Sequence, residues 1–419
     1  MKKVLCIFGT RPEAIKMAPV IKQLRAQSSE LRVKVCVTAQ HREMLDQVLN
    51  LFQIKSDYDL NIMEEKQTLY QITTNALKKL EKVLKEEKPN LVLVHGDTTT
   101  TFVATLASYY EKIPVGHVEA GLRSYDKFNP YPEEVNRLLT DSVCDLLFAP
   151  TQTAKNNLLK ENIPEWRQAR GSPCTKFGAG QARDEAQIQH RRKTIFITGN
   201  TVIDALFLAL KKKHEFCNPV LRNLFPNHPT TQLPNYRIIL VTAHRRENWG
   251  KPLENICSAL REIVEKHRNI VIVYPVHLNP NVREIVYKIL GSQERVYLPP
   301  ALDYLDFIHL MKRAYLVLTD SGGLQEEAPA LGKPVLVLRK VTERPEGVKA
   351  GTVKVIGLEK DKIFKETTNL LENKDTYRKM STATNPYGDG RAAQRIVQAI
   401  LYYFGLRQKK PNEFISLLN

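Results

Sequence analysis

The stretch Thr319–Pro334, TDSGGLQEEAPALGKP, follows directly on the apolar run Tyr315–Leu318. The run reads as a buried strand and Leu324–Ala330 as a short helix, so the two glycines occupy a strand-to-helix turn. Ser321, Gly322 and Gly323 would set unshielded backbone N–H groups and a hydroxyl at the positive end of that helix, where an anion is favoured. A phosphate is the obvious guest. A plain N-cap, with Asp320 or Ser321 capping and the glycines only turning the chain, fits the same residues.

Outward from that turn, short β-rich runs alternate with helical stretches through most of the chain. Strands are expected at Val4–Phe8, Val33–Thr38, Leu91–His95, Val115–Val118, Leu146–Ala149 and Ile195–Thr198, then at Ile238–Ala243, Ile270–Pro275, Val296–Leu298, Leu316–Thr319, Val335–Leu338 and Val353–Val355. Near-continuously apolar strands separated by helices mean parallel sheets covered on both faces. The expected fold is therefore α/β, with two Rossmann-like doubly wound domains facing a cleft, where ligands gather beyond the strands' carboxyl ends. The boundaries read as 1–163 for the first domain, 194–385 for the second and 386–419 for a C-terminal helix. Between the domains, 164–193 is polar, Gly-rich and without sustained period, and reads as a surface insertion.

Composition agrees. A chain of 419 residues, 42% hydrophobic and 26% charged, suits two globular domains. No signal peptide or membrane span is legible, and a cytoplasmic protein is expected. Cys6, Cys36, Cys144, Cys174, Cys217 and Cys257 form no CxxC pair, and the histidines show no ligand spacing, so neither disulfides nor a metal are expected. The net charge of +17 raises polyanion binding, but its densest clusters, Lys211–Lys213, Arg191–Lys193 and Lys409-Lys410, are short and lack interleaved aromatics.

The residues at the strand ends carry the chemistry. After the first strand, Gly9-Thr10-Arg11-Pro12-Glu13-Ala14-Ile15-Lys16 offers two cations where a dinucleotide site would show GxGxxG. Asp97 follows the Leu91–His95 strand, Glu119 follows Val115–Val118, and Glu133 opens a helix after Asn129-Pro130-Tyr131-Pro132. Singly, Asp97 or Thr98 could be an N-cap and Glu133 a dipole complement. Three carboxylates from three turns would instead crowd and raise some of one another's pKa values, as proton transfer near neutral pH requires. The second half answers with His244-Arg245-Arg246 and Val276-His277 at its strand ends, a setting for a diphosphate together with Arg11, Lys16 and the Ser321 turn.

These motifs, GTRPEAIKMAP at Gly9–Pro19, AQHREMLDQV at Ala39–Val48, HGDTTTT at His95–Thr101, GHVEAGLRS at Gly116–Ser124, TGNTVIDAL at Thr198–Leu206, TAHRREN at Thr242–Asn248, PVHLNPNVRE at Pro275–Glu284, TDSGGLQEEAP at Thr319–Pro329 and TERPEG at Thr342–Gly347, closely resemble the non-hydrolysing UDP-N-acetylglucosamine 2-epimerases. The resemblance covers nearly the whole chain apart from the insertion. It implies a glycosyltransferase-B type fold and interconversion of UDP-N-acetylglucosamine and UDP-N-acetylmannosamine through 2-acetamidoglucal, with no NAD and no metal, in supply of bacterial surface polysaccharide. It implies Asp97, Glu119 and Glu133 as acid/base carboxylates and His244 as the residue assisting UDP departure. Arg11 and Lys16 would line the reacting centre and diphosphate, Ser321, Gly322 and Gly323 would hold phosphate, and Glu327 would take the ribose hydroxyls. Phe307 and the chain near His277 would flank uracil, with Arg344 a further contact. It also implies a homodimer and, in some members, activation by UDP-N-acetylglucosamine at Gln40, His41, Glu133, Arg245 and His277. Glu43 and Lys66 stand where activated members can have glutamine and arginine.

Rival readings differ in their residues. A glycosyltransferase of the same fold needs no triad of carboxylates, and an NAD-dependent epimerase would show GxGxxG and Tyr-x-x-x-Lys. In a P-loop, Lys251 and Lys333 would not be followed by proline. An epimerase of a related modified UDP-sugar shares most of these features.

Overall fold

A computed structural model describes residues 1–38, 42–63, 67–161, 194–225 and 236–416, except the side chains of 42–44. The segment 164–193, read as an insertion, lies outside the described residues, as does Cys174. The chain divides into two compact units, one of Met1–Ala205 with Gly390–Ile415, the other essentially Leu206–Asp389.

Unit 1 is a sheet of seven parallel strands: β1 (Lys2–Phe8), β2 (Leu31–Val37), β3 (Tyr58–Asp59), β4 (Leu91–His95), β5 (Val115–Val118), β6 (Leu146–Ala149) and β7 (Thr194–Ile197). Their order is β3-β2-β1-β4-β5-β6-β7, so the direction of winding reverses between β1 and β4. Crossover helices α1 (Arg11–Arg25), α2 (Arg42–Phe52), α3 (Leu69–Glu87), α4 (Thr99–Tyr110), α5 (Glu133–Val143) and α6 (Gln152–Lys160) cover it, and α7 (Thr201–Leu210) leads out. Helix α3 shows why the crossovers form: its buried Ala76, Leu80, Val83 and Leu84 keep one face of a 3.6-residue turn, and Thr68 with Gln71 makes a reciprocal cap at its start.

Unit 2 repeats the design with β8 (Arg237–Thr242), β9 (Ile270–Val273), β10 (Val296–Tyr297), β11 (Leu316–Thr319), β12 (Val335–Val337) and β13 (Val353–Val355), all parallel, in the order β10-β9-β8-β11-β12-β13. Its helices are α8 (Pro219–Leu224), α9 (Lys251–Lys266), α10 (Pro280–Leu290), α11 (Tyr304–Arg313), α12 (Leu324–Ala330), α13 (Pro345–Ala350), α14 (Lys360–Glu372) and α15 (Lys374–Ser381). The core is the layer between sheet and helices, where Ile239, Val241, Ile272 and Leu318 meet Ile256, Leu260 and Val286. Winding reverses between β8 and β11, which puts the TDSGG turn at this unit's switch point. No helix among the described residues is long and apolar enough to cross a membrane.

All twelve expected strands form within a residue or two of their expected limits. Strand β3 was not legible, because it is two residues long and is set beside β2 by Asp57, which accepts the Val35 N–H at 2.9 Å and pairs with Lys34 at 2.8 Å. Two boundaries need correction. The seam does not fall at 194: Thr194–Ile197 pairs with Leu146–Ala149 as the edge of the first sheet, and unit 2 begins at Leu206. The C-terminal segment begins at Gly390 and not 386, since the Tyr387 hydroxyl is fastened in unit 2, accepting the Gly347 N–H at 2.8 Å and donating to Arg344 O at 3.1 Å.

Beyond that point α16 (Ala392–Tyr403) packs on α1 in unit 1. Arg391, which precedes it, provides no side-chain cap. The carboxylate of Asp204, 8% exposed on α7, accepts the first helical N–H groups, from Ala392 at 3.1 Å and Ala393 at 2.9 Å. We predict that Asp204→Ala lowers unfolding free energy by about 1–2 kcal/mol, the usual worth of a lost N-cap. Urea denaturation of the two chains side by side measures it, and an unchanged midpoint would show that α16 does not depend on this cap.

Candidate active site

At the carboxyl end of β1 the chain turns into α1 at a glycine with no room for a side chain. A Cβ on Gly9 would lie 2.2 Å from Thr38 Oγ1 and 2.7 Å from Thr100 Oγ1, two hydroxyls that bond each other at 2.9 Å. The turn is fastened by Glu13, which is 2% exposed. Its Oε2 accepts the N–H groups of Gly9 (2.9 Å) and Thr10 (2.7 Å), and its Oε1 accepts the hydroxyls of Thr98 (2.7 Å) and Thr101 (3.0 Å). One buried carboxylate thus joins the turns after β1 and β4, with four donors satisfying its charge. Beside it, half-buried Arg11 meets no acceptor among the described residues.

Thr98 caps α4 by accepting the Thr101 N–H at 3.2 Å, so Asp97 is released from capping. Asp97 instead pairs with Arg137 of α5, while Asn136 Nδ2 donates to its backbone oxygen at 2.9 Å. Glu119, one strand over, holds φ = +69°, a conformation that costs a non-glycine residue about 1 kcal/mol or more. The turn is kept by a forked bond in which the N–H groups of Glu119 and Ala120 both reach Phe148 O on β6 at 3.1 Å. Burial pushes the Glu119 carboxyl up, but Lys16 Nζ at 2.5 Å and His95 Nε2 at 3.1 Å, both on Oε2, more than reverse this and hold it well below the usual range, the opposite of the rise expected from crowded carboxylates, because its near neighbours are a cation and an imidazole. Lys16, expected to line the diphosphate, is here the partner of Glu119.

Two adjacent acids on α5 part company. Glu134 braces the preceding loop, accepting the Ser124 N–H at 3.0 Å and the Tyr125 N–H at 2.9 Å. Glu133 has a buried Oε2 with no hydrogen-bond partner among the described residues. Behind this loop His117 Nδ1 meets Asp141 at 2.6 Å, and Arg123 joins Asp141 (2.6 Å) to Glu161 (2.5 Å). Burial raises the Asp141 carboxyl, but His117 and Arg123 outweigh it and keep the group ionised.

In unit 2 the corresponding carboxylate is Asp320, wholly buried. Its Oδ2 accepts the N–H groups of His244 (2.8 Å) and Arg245 (2.9 Å) and Asn248 Nδ2 (3.0 Å), drawing the turn after β8 to the one after β11. Neither Asp320 nor Ser321 caps α12; Gly323 stands at the cap position without a side-chain bond. The Ser321 N–H goes to Thr319 Oγ1 at 2.9 Å, and the N–H groups of Gly322 and Gly323 have no acceptor among the described residues. A Cβ on Gly322 would meet nothing nearer than 3.9 Å, and one on Gly323 nothing nearer than Glu327 Oε2 at 3.8 Å. Packing therefore does not require glycine at either position.

The His244 and His277 rings stack with centroids 5.4 Å apart and planes 12° apart. Burial lowers the His244 pKa; His277 and Arg245 lower it further, against Asp320. His277 Nδ1 accepts the Asn279 N–H at 3.1 Å, which leaves Nε2 as the protonated nitrogen when the ring is neutral. Arg245 lies 3.6 Å from Glu247 and 3.7 Å from Glu343, and Arg344 is paired with buried Glu326. Phe307 is half-buried on α11. Gln40, His41 and Lys66 lie outside the described residues, as does the side chain of Glu43.

The described residues hold one other cluster of ligand type, Cys217, Asp303 and Asp306. Its carboxylates already serve as caps: Asp306 accepts from His214 Nε2 (2.6 Å), Cys217 N–H (2.9 Å) and Asn218 N–H (2.8 Å), and Asp303 accepts the Asp306 N–H (2.8 Å). Burial, with Asp306 and Asp303 adding to it, pushes the Cys217 thiol up, away from the thiolate a metal needs.

The family model described as UDP-N-acetylglucosamine 2-epimerase matches residues 22–401. The chain is 52% identical over 398 residues to the UDP-N-acetylglucosamine 2-epimerase of Escherichia coli K12, covering 95% of this chain and 98% of that one. It is 49% identical over 412 residues to the enzyme of that name from Bacillus subtilis 168, covering 98% of each. A crystal structure of the Neisseria meningitidis UDP-GlcNAc 2-epimerase bound to UDP-GlcNAc superposes with a TM-score of 0.80 at 49% identity, over 96% of this chain and all of that one. With its paired parallel sheets of glycosyltransferase-B type and these relatives across nearly its whole length, the chain belongs to the UDP-N-acetylglucosamine 2-epimerase family of isomerases.

Proposed function

We propose that the chain interconverts UDP-N-acetylglucosamine and UDP-N-acetylmannosamine by eliminating UDP and adding it back. The C1–O bond breaks and its electron pair leaves with UDP; the C2 proton passes to a carboxylate, giving 2-acetamidoglucal. C2 then takes a proton on its opposite face while a phosphate oxygen re-forms the bond to C1. Along this route no ketone forms and no hydride moves, so the chemistry as written has no step for a nicotinamide cofactor. The observation that carries this reading is the ionised Glu119, held in a left-handed turn after β5, with Asp97 in the turn after β4 and, at the start of α5, a Glu133 oxygen without a partner among the described residues. Such a set can accept and return protons. In unit 2 the amides of Gly322 and Gly323, acceptor-free among the described residues, suit the departing diphosphate, and His244 is a further candidate for it.

The same reading takes the protein as a cytoplasmic homodimer that feeds surface-polymer synthesis and is activated by its own substrate through Gln40, His41, Glu43, Lys66 and Arg245. Support for the cofactor-free part is the GTRPEA turn, which lacks the glycines a dinucleotide pyrophosphate needs.

Proton NMR in deuterium oxide, with UDP-N-acetylglucosamine and no added NAD or acceptor, should show UDP-N-acetylmannosamine carrying deuterium at C2. Folded, UDP-binding protein that yields neither epimer nor exchange would end the proposal.

Because packing tolerates a methyl group at Gly322, Gly322→Ala should melt like the parent yet raise KM about tenfold by obstructing the phosphate, roughly the effect of one lost charge-assisted hydrogen bond. An unchanged KM would place the diphosphate elsewhere.

His244 sits below the ordinary histidine value, and an approaching anion favours its charged form, so UDP binding should take up a proton and strengthen as pH falls towards about 6.5. Titration calorimetry in buffers of different ionisation heat reads that proton; uptake undiminished in His244→Asn would assign it to another group.

A further inference from the structure

Glu119 offers two oxygens to two different tasks. Both protein partners, Lys16 Nζ at 2.5 Å from α1 and His95 Nε2 at 3.1 Å from β4, converge on Oε2. Oε1 has no partner among the described residues. His95 is 3% exposed, and this is its only side-chain hydrogen bond there, for Nδ1 meets no partner. A buried imidazole is ordinarily fixed through both nitrogens, as His117 is by Asp141 at 2.6 Å and Gly96 O at 2.7 Å. His95 has a single engagement, and it is with a carboxylate at the candidate reacting centre.

Resting on the reading of Glu119 as a proton-transfer group, we propose that His95 is a positioning residue of the epimerisation, clamping Glu119 Oε2 together with Lys16 so that Oε1 is the oxygen that exchanges the C2 proton. The clamp explains how a carboxylate in a strained turn keeps one orientation: two donors on one oxygen fix the plane of the group, and the left-handed backbone fixes its root. Of the other charged groups near this edge, Arg11 on α1 has no acceptor among the described residues and none touches Glu119. Arg137 of α5 pairs with Asp97 and Glu134, Asp141 of α5 with His117 and Arg123, while Glu133 shows no charged partner among the described residues. His95 and Lys16 are therefore the groups whose loss Glu119 would feel directly.

The test compares His95→Ala and His95→Gln with the parent by kcat, KM and the pH profile of kcat, with folding followed by thermal melts. His95 favours the ionised Glu119, so its removal lets the carboxyl protonate at higher pH. In His95→Ala, kcat should fall about tenfold with KM within about twofold, as when an interaction specific to the chemical step is removed. The acidic limb should move up by about one pH unit. His95→Gln keeps an N–H donor without a titrating ring, and should recover most of kcat with the limb near its parental position. Loss expressed in KM alone, or equal kcat losses in both variants with the limb unmoved, would overturn the proposal. Should the alanine variant fail to fold, the glutamine variant decides: kcat retained supports the clamp and kcat lost overturns it. Failure of the parent to exchange C2 deuterium would instead remove the epimerase reading itself, which separates the two.

Discussion

At the point where each sheet reverses its winding, two strand ends stand side by side and their turns present backbone N–H groups that no strand or helix can use. In unit 1 Glu13 gathers two such N–H groups from one turn and two hydroxyls from the other; in unit 2 Asp320 gathers two N–H groups and an amide. Both carboxylates are buried, and each would be costly if any partner were withdrawn. Several candidate site residues stand immediately beside these knots: Arg11 between Thr10 and Glu13, Asp97 ahead of Thr98, His244 and Arg245 on the very N–H groups that Asp320 holds. Their backbone positions are consequently set by buried ionic hydrogen bonding and owe little to loop stiffness.

The two units dress that common frame with different residues. Unit 1 surrounds its strand ends with carboxylates and balances them individually, Lys16 and His95 on Glu119 and Arg137 on Asp97. In unit 2 Asp320 Oδ2 is engaged by backbone and Asn248, Glu326 by Arg344, and the N–H groups of Gly322 and Gly323 have no acceptor among the described residues. Under the proposed elimination and re-addition, unit 1 would supply the proton-exchanging groups and unit 2 the groups that receive negative charge.

Most of this frame was readable from residues alone, because a parallel sheet writes its strands as apolar runs and its ligand-facing turns immediately after them. What pattern could not separate was the duty of neighbouring polar residues. Asp97 and Thr98 compete for one cap, and Glu133 and Glu134 share one first turn; only the packed loop shows that Thr98 and Glu134 take the structural tasks. Glu13 passed as an ordinary acid near a helix start, because its bonds to Thr98 and Thr101 join residues some 85 positions apart. His95 ended a strand and looked like part of it. Thr194–Ile197 was assigned across the seam because a polar stretch before it resembled a linker, whereas pairing with β6 decides its membership.

Unit 1 is assembled from both extremities of the chain, with β1 to β7 first and α16 only after all of unit 2. During synthesis the sheet, the Glu13 knot and the candidate acids can all form while the surface of α1 that α16 will cover still faces water. Unit 2, by contrast, is almost wholly the continuous stretch Leu206–Asp389 and can largely close once Asp389 has emerged. The unit that holds Glu13 and Glu119 is thus the last to be finished although it is the first to be made, and quality control of a nascent or clipped chain would act on its exposed α1 surface.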